Sequence, residues 1–205
     1  AAALRGAQLG LRVALIEADK IGGTCLHRGC VPTKAILHSA ETAEAVREAA
    51  AVGVRAVYQG LDMPAVQKYK NGVISRMYKG LQGLVSSRGI EVVSGWGRLV
   101  ARDTVEAGGR RYRGRNVVLA SGSLSKTMGQ EISGPVMTSD QALELDRVPA
   151  SAVVLGGGVI GVELASAWAS MGSRVTIIEA LPHLVPNEDE AISKQLERAF
   201  RKRRI

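Results

Sequence analysis

Aromatic residues are scarce in this 205-residue sequence, since Phe, Trp and Tyr together make up only 3% of it. Proteins that bind single-stranded nucleic acid stack bases on such side chains, so the scarcity argues against that class. Long hydrophobic runs are also missing, because Gly, Arg, Glu or Ser interrupts each one before it reaches the roughly 18 residues of a membrane span. The sequence therefore excludes a membrane protein.

Cysteine is rare as well, with two residues in the chain, while 24 Gly and 6 Pro are ordinary for a globular protein. The N-terminus shows no secretory signal, so we expect a cytoplasmic protein of one or two domains. Both ends look like helices without start or stop signals. We therefore expect the chain to be a fragment of a longer protein.

The net charge of +8 is concentrated in two short segments. These are Arg110, Arg111, Arg113 and Arg115 in the middle of the chain, and Arg198, Arg201, Lys202, Arg203 and Arg204 at its end. Neither segment contains a nucleic-acid-binding motif, and the rest of the chain is nearly neutral. We interpret them as a polar hairpin and a solvated helix end.

One supersecondary unit occurs twice in the chain. Residues 10–18, GLRVALIEA, match residues 172–180, GSRVTIIEA, at an offset of 162 residues. Each copy is a turn followed by a mostly apolar run that ends in an acid, which is typical of a buried parallel strand. The second copy is preceded by a predicted strand at 151–155 and a small-residue helix at 162–171.

The turn before that helix, GGGVIG, contains G-x-G-x-x-G. Gly156 permits a tight turn, Gly158 lets the backbone approach a pyrophosphate, and Gly161 allows close packing of helix on strand. Glu179 follows Gly161 by 18 residues, about where an acid accepts from a ribose 2′-hydroxyl, and an acid there favours NAD over NADP. The alternative is a purely structural glycine turn, which the strand, helix and acid argue against. By the offset, the corresponding turn of the first copy would lie just before Ala1.

The middle of the chain gives a coarser prediction. Helices are expected at 34–51 and 64–87, strands at 90–95, 103–107, 110–113 and 116–120, and a loop-rich crossing at 125–149. Gly108 and Gly109 indicate a hairpin turn between two of these strands.

Cys25 and Cys30 lie in the segment GGTCLHRGCVPTK. A disulfide over so short a loop adds little stability through chain entropy, so a redox role explains the pair better. Zinc is the alternative, with His27 as a third ligand, but His38 and His183 stand in no ligand spacing. We therefore expect no metal and take His27 as a loop or surface residue.

Cys30 precedes a helix whose first turn holds Pro32 and Thr33. The positive end of that helix would favour a thiolate at Cys30. Such a thiolate can donate electron density to an oxidised flavin, while Cys25 exchanges with an outside disulfide.

Three ordered motifs resemble the pyridine nucleotide–disulfide oxidoreductases across nearly the whole chain. They are GGTC-x4-C-x-PTK at 22–34, ASGS at 120–123 and GGGVIGVE at 156–163. The resemblance implies an α/β fold of tandem Rossmann-like, three-layer ββα domains, both incomplete here. The FAD-binding domain would cover 1–149 and the NAD-binding domain 150–205.

Within the family, the sequence is most similar to the members that oxidise dihydrolipoamide. The resemblance implies a homodimeric enzyme that passes electrons from dihydrolipoamide, on the lipoyl domains of 2-oxoacid dehydrogenase complexes, through a Cys25–Cys30 disulfide and FAD to NAD. Alternatives are another reductase of the family, such as a mercuric reductase-like enzyme, and a non-catalytic nucleotide-binding module. The intact cysteine pair argues against the module.

The resemblance also assigns site residues. Cys25 would be the interchange thiol and Cys30 the flavin-facing thiol, and Lys34 would lie near the flavin and pair with Glu163. FAD would be lined by Glu17 at its adenosine ribose and by Gly23, Thr24, Cys25, Lys34, Gly97, Ser121, Gly122 and Ser123. NAD would be held by Gly156, Gly157, Gly158, Val159, Ile160, Gly161, Val162, Glu163 and Glu179.

Some features of the family are not found in the sequence. The first glycine motif, the dimerisation domain and the family's catalytic His–Glu pair lie outside the chain, so we expect this fragment alone to be inactive. Ser121 stands where Thr is commoner, which keeps the hydroxyl, and residues 127–130 lack a Pro-Gly often seen there.

Overall fold

The structure is a computed structural model that describes residues 1–205. The chain divides into two compact units, each formed by two segments. The first unit consists of Ala1–His27 with Ile74–Leu124, and the second of Arg28–Val73 with Ser125–Ile205. These compact units differ from the FAD-binding and NAD-binding domains expected from the sequence, whose boundary lies at residue 149. That boundary stays a prediction.

The first unit combines a parallel strand pair with a small antiparallel sheet. Its elements are α1 (Ala2–Gln8), β1 (Ala14–Glu17), α2 (Gly23–His27), the later part of α4 (Met63–Ser87), β2 (Glu91–Ser94), β3 (Arg98–Ala101), β4 (Thr104–Ala107) and β5 (Arg110–Arg113). Strand β1 pairs in parallel with β2, from Ala14 opposite Glu91 to Glu17 opposite Ser94. Ile21, Val85 and Ile90 form its buried core.

The predicted hairpin is confirmed. Strands β4 and β5 pair antiparallel, with Ala107 opposite Arg110. Gly108 and Gly109 join them with φ values of 56° and 74°, which a two-residue turn of this kind needs. Strand β3, which pairs with β4, was not predicted, since four residues beside a glycine give too short a pattern.

The predicted strand at 116–120 is wrong. The segment has no regular secondary structure, and Val118 and Leu119 are 70% and 73% exposed. A strand of this apolar kind exists only through hydrogen bonds to a neighbouring strand. None of the strand pairings includes this segment, so its β-forming residues have no neighbouring strand with which to form hydrogen bonds.

The second unit contains the other parallel strand pair. Its elements are α3 (Cys30–Glu48), a 3-10 turn (Ala49–Val52), the start of α4, α5 (Ser139–Ala142), β6 (Ser151–Leu155), α6 (Val159–Met171), β7 (Arg174–Ile178) and α7 (Glu190–Lys202). Strands β6 and β7 pair in parallel, from Ser151 opposite Arg174 to Leu155 opposite Ile178. The predicted strand, glycine turn, helix and strand are therefore all present in order.

Helix α6 is central to this unit because it is apolar on nearly every side. Ala165, Ala167 and Trp168 are among its buried residues, and they pack in one core with Ile36 of α3 and Phe200 of α7.

None of the helices in the chain combines the length and the apolar character that crossing a bilayer requires.

Candidate functional site

The glycine turn between β6 and α6 has the geometry that its spacing predicts. Gly156 has φ = 101°, and its N–H donates to the Ile178 carbonyl at 2.8 Å. A Cβ atom at Gly161 would lie 2.0 Å from the Gly156 oxygen, so no side chain fits there. A Cβ atom at Gly158, the N-cap of α6, would meet nothing within 4 Å. The turn thus leaves open space beside unbonded helix N–H groups, which fits the pyrophosphate of a dinucleotide.

The carboxylate of Glu179 lies against this turn. Its Oε2 accepts the N–H of Gly157 at 2.6 Å, and its Oε1 accepts the N–H of Leu181 at 2.9 Å. These N–H donors, Leu181 first, hold the pKa of Glu179 below its ordinary value. The carboxylate therefore stays ionised and oriented as an acceptor beside the turn.

Gly157 is held from its other side by residues that were not predicted. Its carbonyl accepts the N–H of Val185 at 2.7 Å, and a Cβ on Gly157 would lie 2.5 Å from Leu184 Cδ2. Val185 is buried with φ = 45°, an uncommon conformation for a β-branched residue. The segment after β7 thus packs on the glycine turn. The local sequence contains no pattern that predicts this contact.

The first copy of the repeat places its acid in the same way. Glu17 ends β1, and its Oε1 accepts the N–H of Asp19 at 3.0 Å, matching the bond from Leu181 to Glu179. Glu17 lies at a pocket of the first unit that Ile21 and Tyr78 also line. An acid at a pocket beside a parallel strand end fits the ribose of a nucleotide, and the contact of Glu17 with FAD stays a prediction.

The other residues predicted to line FAD have simpler surroundings. Gly23, Thr24 and Cys25 begin the short helix α2 and are exposed. A Cβ on Gly97 would lie 3.1 Å from Ile16 Cγ2, so close packing inside the unit already explains that glycine. The segment of Ser121, Gly122 and Ser123 is exposed and irregular, and Gly122 has φ = 80°.

Cys30 is the first residue of α3, as the sequence indicates. Its side chain is exposed, and the carbonyl of Gly29 before it accepts both the N–H and the hydroxyl of Thr33, at 3.1 and 2.8 Å. The helix therefore begins sharply, and Cys30 lies at its positive end.

The expected ion pair of Lys34 and Glu163 is present. The Nζ of Lys34, on α3, donates to Oε1 of Glu163, on α6. Ser170, further along α6, donates to Glu44 of α3 at 2.5 Å. Because both contacts join the helices in the same order along each chain segment, α3 and α6 run parallel. The N-terminus that carries Cys30 and the N-terminus at the glycine turn therefore point the same way.

The interpretation of Arg203 as part of a solvated helix end is wrong. Its side chain is 28% exposed and donates to Ser166 Oγ at 2.7 Å and to Ser170 Oγ at 2.6 Å. Its guanidinium also lies 3.6 Å from the Glu44 carboxylate. Arg203, Ser170 and Glu44 thus join α7, α6 and α3. The neighbours Lys202 and Arg204 are exposed, as expected.

Comparisons with known proteins identify the family of the chain. The family model described as pyridine nucleotide-disulphide oxidoreductase matches residues 1–205. The dihydrolipoyl dehydrogenases of Bacillus subtilis and Chlamydia pneumoniae are 38% and 36% identical to the chain over its whole length. These matches cover 46% and 45% of the two proteins, so the chain spans about half the length of these relatives.

The chain is also similar to a reductase of another name and to a solved structure. A leghemoglobin reductase of Vigna unguiculata is 34% identical over 98% of this chain and 40% of its own length. The structure of the HOCl-induced flavoprotein disulfide reductase RclA from Escherichia coli superposes with a TM-score of 0.74 and 29% identity, covering 98% of this chain and 44% of that one.

The chain belongs to the pyridine nucleotide-disulphide oxidoreductase family. It has the fold of the flavoprotein disulfide reductases, and enzymes of this family use FAD and NAD.

Proposed function

We propose that the whole protein is a dihydrolipoamide dehydrogenase, which transfers electrons from dihydrolipoamide through a disulfide and FAD to NAD. The observation that carries the proposal is similarity to dihydrolipoyl dehydrogenases over the full chain, with both cysteines retained. The oriented Glu179 carboxylate at the glycine turn supports NAD as the acceptor.

The thiol chemistry is assigned to Cys25 and Cys30. A thiolate of dihydrolipoamide attacks Cys25 Sγ, forming a mixed disulfide and breaking the Cys25–Cys30 bond, so that Cys30 leaves as a thiolate. The second substrate thiol then attacks the substrate sulfur bound to Cys25. The substrate departs as a cyclic disulfide, and the protein keeps the two electrons as two reduced cysteines. The helix N-terminus at Cys30 suits the thiolate.

Bound FAD would supply the two-electron carrier between these thiols and NAD. Glu17, at the pocket of the first unit, would accept from the FAD ribose, with Thr24, Gly97 and the Ser121–Gly122–Ser123 turn as further contacts. Lys34 would place a positive charge near the flavin, and its ion pair with Glu163 would hold that charge in position. Gly158 and the start of α6 would hold the NAD pyrophosphate, and Glu179 its ribose.

We infer from the same similarity that the whole protein is a cytoplasmic homodimer and that its dihydrolipoamide is carried on lipoyl domains of 2-oxoacid dehydrogenase complexes. The dimer would supply the His–Glu pair that the resemblance predicts.

The test is an anaerobic titration of the full-length protein with dihydrolipoamide, followed by its visible spectrum. We expect bleaching of the flavin band and a long-wavelength charge-transfer band from the Cys30 thiolate. A flavin spectrum that dihydrolipoamide leaves unchanged would reject the substrate and favour another reductase of the family. Replacing Cys25 or Cys30 by Ser should abolish turnover with FAD still bound, whereas retained turnover would reject the redox assignment.

A further inference from the structure

His27 closes the short loop that carries Cys25. Its Nε2 lies 2.9 Å from the carbonyl oxygen of Ile21, six residues earlier. A carbonyl oxygen only accepts, so Nε2 carries the hydrogen of this bond. The same ring lies edge-on to the Tyr78 ring of α4, with centroids 5.0 Å apart and an angle of 76° between the planes. Two independent contacts therefore fix this side chain.

The segment from Ile21 to His27 is packed as well as hydrogen-bonded. Ile21 and Leu26 are 8% and 7% exposed. Gly22 has φ = 121°, and a Cβ there would lie 2.5 Å from Leu26 Cδ2 and 3.2 Å from His27 Nε2. The loop therefore has two buried anchors and a crowded inner side, while Cys25 remains exposed on its outer side.

We propose that His27 is a positioning residue for Cys25, which holds the exposed sulfur in the orientation that a substrate dithiol needs. The proposal rests on the assignment of Cys25 as the interchange thiol. Thiol–disulfide exchange depends on which sulfur is attacked and on access to it, so a fixed loop favours the productive direction of attack. Tyr78 is the second part of this device, because its ring supports the imidazole from α4.

The test separates the two half-reactions of the full-length enzyme by anaerobic rapid mixing. In His27→Ala, reduction by dihydrolipoamide should slow by about tenfold, because the sulfur is no longer held. Reoxidation of the reduced enzyme by NAD should slow much less, because that step re-forms the Cys25–Cys30 disulfide within the protein and needs no approach of an outside dithiol to Cys25. His27→Gln, which keeps an N–H donor within reach of the Ile21 carbonyl, should recover most of the rate, and Tyr78→Phe should lose less than Tyr78→Ala.

A second measurement does not depend on the substrate. In NADH-reduced enzyme, the rate at which iodoacetamide alkylates Cys25 should differ between His27→Ala and the wild type, while Cys30 keeps its rate, because the loop that His27 holds carries Cys25 only. Equal alkylation of Cys25 in both proteins, or equal slowing of both half-reactions, would overturn the role of His27. A wild-type enzyme that dihydrolipoamide does not reduce, but whose Cys25 alkylation responds to His27→Ala, would reject the proposed substrate and retain the positioning role.

Discussion

Glu179 and Gly157 are joined by a hydrogen bond of 2.6 Å from the glycine N–H to the carboxylate Oε2. They are 22 residues apart in the chain, and the bond links the end of β7 to the turn that follows β6. The acid is therefore a fixed part of the glycine turn, and its orientation does not depend on a ligand.

Replacing Glu179 by Arg should change the nucleotide preference of the full-length enzyme. The substitution removes the acceptor for a 2′-hydroxyl and adds a bidentate partner for a 2′-phosphate. A hydrogen bond to a charged group contributes about 1.5–3 kcal/mol, so kcat/KM for NADP relative to NAD should rise by roughly 10- to 100-fold. Steady-state kinetics with both nucleotides measure this ratio, and Glu179→Gln is the control that removes the charge alone. An unchanged ratio in the Arg variant would place the cofactor choice elsewhere.

Glu179 should also contribute to the pH dependence of stability. Its folded-state pKa is lowered by the N–H groups of Leu181 and Gly157, so ionisation favours the folded state. The contribution is fully present above the ordinary value of 4.5 and is lost as the pH falls through the lower folded-state pKa. Thermal unfolding of wild type and Glu179→Gln between about pH 3 and 7 should therefore show the larger difference at neutral pH. Curves that stay parallel over the range would contradict this role.

Alanine substitutions at two glycines of the turn should affect different properties: stability at Gly161 and NAD binding at Gly158. A Cβ at Gly161 would lie 2.0 Å from the Gly156 oxygen, so Gly161→Ala should destabilise the unit by at least about 1–3 kcal/mol. Gly158 has φ = −72° and open space around it, so Gly158→Ala should fold normally and weaken NAD binding by intruding on the pyrophosphate. Denaturant unfolding and NAD titration distinguish the two variants. Normal stability in Gly161→Ala would show that the turn can open.

The second repeat copy was predictable from sequence because its signals are local. The G-x-G-x-x-G turn, the small-residue helix and the acid of Glu179 each follow from neighbouring residues, and all are present. The strand predicted at 116–120 failed because a strand depends on a partner that no local pattern supplies. Short, mostly apolar segments thus form a strand in β1 and irregular structure at 116–120.

Long-range side-chain contacts were the other part that the sequence did not predict. Arg203 belongs to a run of basic residues, and only the fold brings it to Ser166 and Ser170, 37 and 33 residues away. His27 was interpreted as a loop or surface residue. A single histidine in the sequence does not predict contact with the ring of Tyr78, 51 residues later. The motifs supply the candidate site residues, whose roles stay predictions, and the structure supplies the packing around them.

Replacing Ser170 by Ala should destabilise the second unit. The Ser170 hydroxyl is buried, donates to Glu44 and accepts from Arg203, so its loss leaves two charged groups without that partner. Removing a buried hydrogen-bonding group of this kind costs about 1–3 kcal/mol. Chemical denaturation measures the change, and the control is Ser39→Ala on α3, whose hydroxyl bonds only to the Ala35 carbonyl at 3.4 Å. Similar losses in both variants would mean that the Ser170 contact stabilises the unit no more than the single hydroxyl–carbonyl bond of Ser39.

Glu163→Gln should separate stability from activity. The ion pair with Lys34 is partly exposed, at 60% for Lys34 and 25% for Glu163, and such pairs contribute only about 0–1 kcal/mol to stability. If Lys34 supplies charge near the flavin, loosening it should lower the rate of flavin reduction and shift the flavin spectrum, while the unfolding midpoint hardly moves. Thr42→Ala, an exposed change on α3 outside the proposed site, should alter neither the rate nor the spectrum. A Glu163→Gln enzyme with normal kinetics and spectrum would reduce the pair to a surface contact between α3 and α6.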